Sequence, residues 1–93
     1  MEIIVNQAKI KSCTIDDTGE VRLPKFFDDD LNIDLSKNIL KLIVRYCLNS
    51  NNFILPMTHF NVIISDSDIK FNYKTIEAII NLIDNDYISI PTI

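Results

Sequence analysis

Apolar residues at helical spacing after Ser36 constrain the fold of this chain more than any other sequence feature. Six of them share one face: Ile39, Leu40, Ile43, Val44, Cys47 and Leu48. Lys37, Lys41 and Arg45 fall on the opposite face, so the pattern predicts an amphipathic helix. Ser36 is predicted to cap its N-terminus, and the polar residues 49–52 are predicted to end it. Such a helix needs a second apolar surface to pack against.

A second amphipathic helix is predicted over residues 75–85, with Thr75 as its N-cap. Its apolar residues lie at core spacing: Ile76, Ile79, Ile80, Leu82 and Ile83. Tyr87, Ile88 and Ile90 follow this helix, and Pro91 ends regular structure. The C-terminal part of the chain is therefore predicted to be helical and strongly apolar.

The N-terminal part of the chain carries weaker signals. Residues 2–16 fit a strand or a poor helix equally well. Residues 16–19 predict a turn, because Gly19 adopts a positive φ without a steric cost. Val21 and Leu23 then alternate with charged residues, which predicts a short strand.

Two further segments lie outside the predicted helices. Residues 53–64 are apolar and β-branched around Pro56, which favours a strand or an extended connection over a helix. Residues 28–30 are three consecutive aspartates, which indicate a surface loop or a first helical turn.

Length and composition predict one domain over residues 1–93. A chain of this size buries about two-thirds of its unfolded surface, so its stability alone is marginal. With 47% hydrophobic residues, part of the apolar content is expected to form an interface with a partner.

Charge and cysteine content restrict the partners and the compartment. The net charge of −4 and a pI of about 4.7 argue against nucleic acid, because binding phosphates needs clustered lysine and arginine. The longest nearly uncharged run, residues 47–65, is broken by polar residues, so no membrane span is expected. Cys13 and Cys47 are expected to be buried reduced thiols, which predicts a cytoplasmic and/or nuclear protein.

Nothing in the sequence supports catalysis, a metal site or a cofactor. His59 is the only histidine, and neither cysteine has a second ligand at the spacing that zinc sites use. The chain has one glycine, which excludes a glycine-rich phosphate loop. The aspartate clusters lack the spacing of a calcium loop and are expected to be solvated acidic surface. The chain is therefore predicted not to be an enzyme.

Three stretches of the sequence resemble the Skp1 and elongin C family. Residues 20–26 read Glu-Val-Arg-Leu-Pro-Lys-Phe, and they resemble a family strand that ends in a leucine–proline step. Residues 39–47 read Ile-Leu-Lys-Leu-Ile-Val-Arg-Tyr-Cys, like the family helix with an aromatic–cysteine end. Residues 71–90 resemble the elongin C terminus, with an Ile-rich helix and an Asp-Tyr-Ile-Ser-Ile ending. Residues 8–13 offer a counterpart for the family's Thr-Ile-Lys helix, and the opening hairpin has none.

This resemblance implies a BTB/POZ-like α/β fold, in which a short sheet packs with amphipathic helices. It also implies an adaptor that links a cullin scaffold to a substrate receptor in a ubiquitin ligase. By position, six residues match the family pocket for a receptor-box helix: Phe71, Ile79, Leu82, Ile83, Tyr87 and Ile90. Tyr46 matches an aromatic on the cullin-facing side. An elongin B-like subunit is a further implied partner. Helical spacing alone also predicts burial for Ile79, Leu82 and Ile83, so a core role stays open.

Two other functions are also compatible with the sequence. Residues 16–24 resemble the strand of AbrB/MazE swapped-hairpin transcription factors, although Glu20, Asp28 and Asp29 replace their DNA-facing arginines. The acidic surface also fits a small inhibitor or immunity protein that blocks a basic target. The short form and the Ile- and Asn-rich composition indicate a viral or parasite mimic of a host adaptor.

Overall fold

The computed structural model describes residues 1–24, 33–65 and 69–91, and in these ranges the chain is a small mixed α/β protein. Its strands are β1 (Glu2–Val5), β2 (Thr14–Ile15), β3 (Val21–Arg22), β4 (Ile54–Pro56) and β5 (Ile88–Ser89). Its helices are α1 (Gln7–Ile10), α2 (Ile33–Ser50), α3 (Met57–Ser65) and α4 (Tyr73–Asp84). The α/β class predicted from the sequence is confirmed.

The main sheet has three antiparallel strands in the order β4-β1-β5. Strand β1 lies in the centre, with Ile4 opposite both Ile54 of β4 and Ser89 of β5. Ile3 and Val5 alternate with Ile4 along β1, and these two side chains are buried in the core. The outer face of the sheet therefore carries Ile4 and Ile54, which are both exposed.

The turn predicted at residues 16–19 is confirmed, and it joins β2 to β3. The Asp16 carboxylate accepts hydrogen bonds from the Thr18 amide at 2.9 Å, the Thr18 hydroxyl at 2.6 Å and the Glu20 amide at 3.0 Å. These bonds lower the pKa of Asp16, with the Thr18 hydroxyl as the largest cause. Gly19 has a φ of 82°, where an L side chain is strained.

Two side chains of α2 tie this hairpin to the rest of the protein. The Lys41 ammonium lies 2.9 Å from the Glu20 carboxylate, and the Arg45 guanidinium donates to the Gly19 carbonyl at 3.4 Å. Both cations lie on the polar face that the sequence pattern predicted for this helix. That face therefore docks the hairpin on α2.

The predicted first helix forms as α2, but it begins at Ile33, so the prediction that Ser36 caps it is wrong. Ser36 lies one turn inside the helix and is fully buried, and its hydroxyl donates to the Ala78 carbonyl of α4 at 3.3 Å. This hydrogen bond to the neighbouring helix satisfies the Ser36 hydroxyl, so a polar side chain can be buried at this position. The predicted end is confirmed, since α2 stops at Ser50 and Asn51 follows with a positive φ of 54°.

The prediction of a strand or extended connection over residues 53–64 is wrong beyond Pro56. Pro56 closes β4 because it has no N–H for further pairing, and α3 begins at the next residue. Phe60 and Ile64 are four residues apart, so they lie on one side of this helix, and both are buried. Their burial outweighs the preference of β-branched residues for strands.

The second predicted helix forms as α4 and begins two residues earlier than predicted. Asn72, rather than Thr75, is its N-cap, because the Asn72 carboxamide oxygen accepts from the Thr75 amide at 3.1 Å. Thr75 is buried instead, and its hydroxyl donates to the Lys70 carbonyl. After α4, Asp86 adopts a φ of 64°, which turns the chain into β5.

The core lies between the inner face of the main sheet and helices α2, α3 and α4. The fully buried aliphatic residues are Ile3, Ile10, Ile39, Leu40, Ile43, Val44, Leu55, Ala78 and Leu82. Cys13 and Cys47 are also buried there, and each is a free thiol, as predicted. Burial raises the pKa of Cys47 to about 11. Among the described helices, none has the length and apolarity that a bilayer crossing requires.

Candidate functional site

The structure separates the seven residues that were predicted to contact partners. Ile79, Leu82 and Tyr87 are buried in the core, so a partner that docks on the surface does not contact them. Ile79 and Leu82 lie on the face of α4 that packs against α2, which is the core role that helical spacing left open. Tyr87 packs at the start of β5, where the Lys9 ammonium lies 4.8 Å from the centroid of its ring.

The other four predicted residues reach the surface to different extents. Ile83 and Ile90 are half-buried and pack against the core from its edge. Tyr46 is half-buried at the end of α2, and Phe71 is 64% exposed just before the N-cap of α4. The predicted set is therefore divided between the core and two separate parts of the surface.

A row of exposed apolar side chains follows the outer side of α4, and it is named here the α4 stripe: Tyr73, Ile76 and Ile80. Tyr73 is 74% exposed and Ile80 is 48% exposed, although both belong to a helix whose inner face fills the core. The residues are spaced by three and four, which places them on one side of the helix. Half-buried Ile83, three positions after Ile80, continues the row.

Sequence reasoning missed Tyr73, Ile76 and Ile80 as site residues, although a signal for them exists. A helix with one partner needs an apolar arc of about 100°. With 3.6 residues per turn, the apolar residues of α4 span more than half of its circumference. The α4 stripe is the part of this apolar circumference that does not pack on α2.

The phenol at the N-terminal end of the α4 stripe is hydrogen-bonded along the helix. The Tyr73 hydroxyl donates to the carboxylate of Glu77 one turn later, and this bond raises the pKa of Tyr73. The polar end of the side chain is thus satisfied within α4, while the ring stays open to solvent. Tyr73 and Phe71 together place two exposed aromatic rings at the N-terminal end of α4.

A second surface lies between α2 and α3, where Tyr46 packs against His59. The two ring centroids are 4.2 Å apart, with the planes tilted by 40°. Both residues are half-buried, and Val62, one turn after His59 on α3, is exposed. His59 falls in the segment 53–64 that was predicted to be a strand or an extended connection, and it belongs to α3 instead. These three side chains form what is named here the Tyr46 surface.

Within residues 1–24, 33–65 and 69–91, no three histidine, cysteine or acidic side chains converge in the way that holding a metal ion requires. His59 is engaged with the Tyr46 ring, and burial raises the pKa of both cysteine thiols. The α4 stripe and the Tyr46 surface consist of exposed or half-buried apolar and aromatic side chains together with His59.

A comparison of this chain with protein-family models, with curated proteins and with solved structures finds no match in any of the three. The class that the structure defines is a small mixed α/β protein with four helices and two small sheets in its described part.

Proposed function

We propose that this chain is a non-enzymatic adaptor of the Skp1 and elongin C type, with a BTB/POZ-like fold, that joins two partner proteins. In this proposal a receptor-box helix packs on the α4 stripe, and a cullin scaffold contacts the Tyr46 surface. The observation that carries it is the α4 stripe, an exposed apolar row on a helix whose opposite face fills the core. An elongin B-like subunit is a further partner in this proposal.

The α4 stripe has the composition of a binding surface for a helix. An amphipathic helix docks its apolar face through residues spaced by three and four, which is the spacing of Tyr73, Ile76 and Ile80. Aromatic anchors dominate the energy of many interfaces, and Phe71 and Tyr73 are both exposed at one end. Covering apolar surface contributes about 25 cal/mol per Å².

The two surfaces allow both partners to bind at once. Helix α4 packs on α2, and Ala78 and Leu82 lie on its buried face, so the α4 stripe lies on the opposite side of the helix. The Tyr46 ring instead faces His59 on α3. An adaptor needs two separate binding surfaces on one rigid body, and α2 connects them here.

The order of elements is consistent with the resemblance seen in the sequence. Helix α1 overlaps the first three residues, 8–10, of the segment that was matched to the family's Thr-Ile-Lys helix. Strand β3 lies in the matched leucine–proline stretch, α2 in the matched helix, and α4 with β5 in the matched C-terminus. For the AbrB/MazE alternative, the long helix α2 follows where that fold expects strands, and residues 28–30 lie outside the described residues. A cytoplasmic and/or nuclear location belongs to the same proposal.

The proposal is tested by binding of the purified chain to three probes: a cullin N-terminal domain, an elongin B-like subunit and a synthetic receptor-box helix. The Ile80→Asp variant is expected to lower affinity for the helix about tenfold or more, because a carboxylate replaces an apolar contact. Ile54→Asp is the matched control, since Ile54 is 45% exposed but lies on the sheet. Tyr46→Ala is expected to weaken cullin binding and to leave helix binding unchanged.

Two results would overturn the proposal. One is failure of the folded chain to bind any of the three probes. The other is an equal loss of helix binding in Ile80→Asp and Ile54→Asp, which would mean that the α4 stripe is not the contact surface. Circular dichroism of each variant distinguishes lost binding from lost folding.

A further inference from the structure

An acidic border runs along one side of the α4 stripe. Successive residues of an α-helix are about 100° apart, so the α4 stripe and Ile83 together fall within an arc of about 80°. Glu77 and Asp84 lie on the same flank of that arc, about 60–80° from its centre. The opposite flank holds Ile79, whose side chain is buried in the core. The α4 stripe therefore has one border that faces solvent, and that border is acidic.

The two carboxylates of this border lie two turns apart. The Glu77 carboxylate accepts a hydrogen bond from the Tyr73 hydroxyl, which holds it beside the exposed ring. Asp84 is exposed and is the last residue of α4. The carbonyl groups at the C-terminus of a helix favour a cation, so an aspartate there adds to their negative potential. Asp86, which is also exposed, follows two residues later. A cation on a partner is therefore attracted most strongly at this end of α4.

Three lysines near the ends of α4 are placed away from this border. Lys74 lies about 140° from the centre of the α4 stripe, on another side of the helix. Lys70 precedes the helix, and its carbonyl accepts from the Thr75 hydroxyl on the buried face. At the other end, the Lys9 ammonium donates to the Asn85 carbonyl, which holds it in place. The charge that this border presents to a partner is therefore negative.

From this arrangement we infer that the helix bound by the α4 stripe is a basic amphipathic helix. The inference rests on the proposed function, in which the α4 stripe receives a helix of a partner protein. Residues 73–83 span about 15 Å of helix, so the partner helix needs about three turns to cover them. Its apolar residues cover the α4 stripe, and two lysines or arginines seven positions apart on one flank reach Glu77 and Asp84.

The charge of the chain favours this occupant over a second copy. A net charge of −4 attracts a cationic partner and repels an identical chain. An antiparallel pair of α4 helices that sets Ile76 against Ile80 of a second copy also places the two Glu77 side chains side by side. Like charges on the flanks of a helix pair select against that pairing. A basic helix of another protein is therefore the better fit.

Three synthetic helical peptides test the inference. They share one apolar face and a lactam bridge on the far side, and they differ only at two flank positions seven residues apart. These positions hold two lysines, two glutamines or two glutamates. The lysine peptide is expected to bind the full chain about fivefold more tightly than the glutamine peptide, because each exposed ion pair contributes modestly. The glutamate peptide is expected to bind least. Fluorescence anisotropy measures each Kd, and the differences should shrink as salt screens the charges.

Variants of the chain locate the effect on the border. Glu77→Gln combined with Asp84→Asn is expected to bring the lysine and glutamine peptides to the same affinity. Glu2→Gln combined with Asp17→Asn is the matched control, since it makes the same two changes at exposed positions outside α4 and should keep the fivefold ratio. Ile80→Asp is expected to weaken all three peptides, and circular dichroism verifies that each variant is folded.

Several results would overturn the inference. They are equal affinities of the three peptides, a preference for lysine that survives Glu77→Gln with Asp84→Asn, and the same loss of preference in the control variant. A dimer of the free chain in light scattering that Ile80→Asp dissociates would also overturn it, because a second copy would then cover the α4 stripe. The adaptor proposal fails separately, when the cullin domain and the receptor-box helix do not bind although the lysine peptide does.

Discussion

The Ser36 hydroxyl donates a hydrogen bond to the backbone carbonyl of Ala78, 3.3 Å away, across the contact between α2 and α4. Both residues are fully buried, and both are small. Two long apolar helices thus approach each other through a serine and an alanine, with one polar bond between them. This contact positions α4 on α2, and so directs the α4 stripe to solvent.

Replacement of Ser36 tests this contact. Ser36→Ala is expected to lower the free energy of unfolding by about 1 kcal/mol, because one buried hydrogen bond is lost. Ser36→Leu is expected to cost about 1–3 kcal/mol, because extra methylene groups force the helices apart. Urea denaturation measures both. Ser50→Ala is the control, since Ser50 is exposed and bonds within its own helix to Tyr46, and it should cost less than Ser36→Ala.

At Gly19, the loss of stability on substitution is expected to depend only on how well the new residue tolerates a positive φ. A Cβ at this position meets no atom within 4 Å, so the cost comes only from the positive φ of 82°. Gly19→Ala should lower the unfolding free energy by about 1 kcal/mol, and Gly19→Asn by less, because asparagine tolerates the left-handed region. Equal costs for the two variants in denaturant titrations would contradict this explanation.

The stability of the hairpin is expected to depend on acid through Asp16. The Thr18 hydroxyl and the amides of Thr18 and Glu20 lower its pKa from 3.8, so the unfolded chain binds the proton more readily. The stabilisation is therefore fully present above pH 3.8 and is lost as the pH falls through the folded-state pKa. Thermal denaturation from pH 7 to pH 2 should show Asp16→Asn converging on the wild type in acid, and a constant difference between the two over this range would contradict the explanation.

Cys47 is expected to destabilise the fold in alkali. Burial raises its pKa from 9.0 to about 11, so between these values the unfolded chain loses the proton and the folded chain keeps it. The stabilisation is fully present below pH 9 and declines as the pH rises to about 11. Cys47→Ala should show a weaker decline over this range in urea denaturation. Maleimide labelling of folded Cys47 at pH 7 should be slow, and fast labelling would show that the thiol is accessible.

The elements that could be predicted from the sequence are those with long patterns. The helices α2 and α4 have apolar residues at helical spacing over several turns. The turn at residues 16–19 was predicted from Gly19, the only glycine, which adopts a positive φ without a steric cost. Helix α3 could not be predicted, because its β-branched run favours a strand until Phe60 and Ile64 meet the core. The pairing of β5 with β1 could not be predicted either, because a strand of two residues is too short to show alternating apolar and polar residues.

The candidate site was predictable in part for a related reason. Spacing identifies an apolar residue on a helix but not which neighbour covers it, so Leu82 and Phe71 were predicted together although one is buried and the other exposed. The covering helix α2 determines that outcome. Tyr46 was predicted as a partner-binding residue. Its neighbour His59 was not, because only the helical conformation of α3 brings the two rings together.

The central position of β1 in the sheet affects how this chain folds. Its partners β4 and β5 are separated from it by most of the sequence, so closing each pair orders a long intervening loop. Contacts of that kind slow folding, while α2 and α4 form through local bonds. During synthesis β1 leaves the ribosome well before either partner strand, and its edge toward β5 stays unpaired until α4, which precedes β5, has been made.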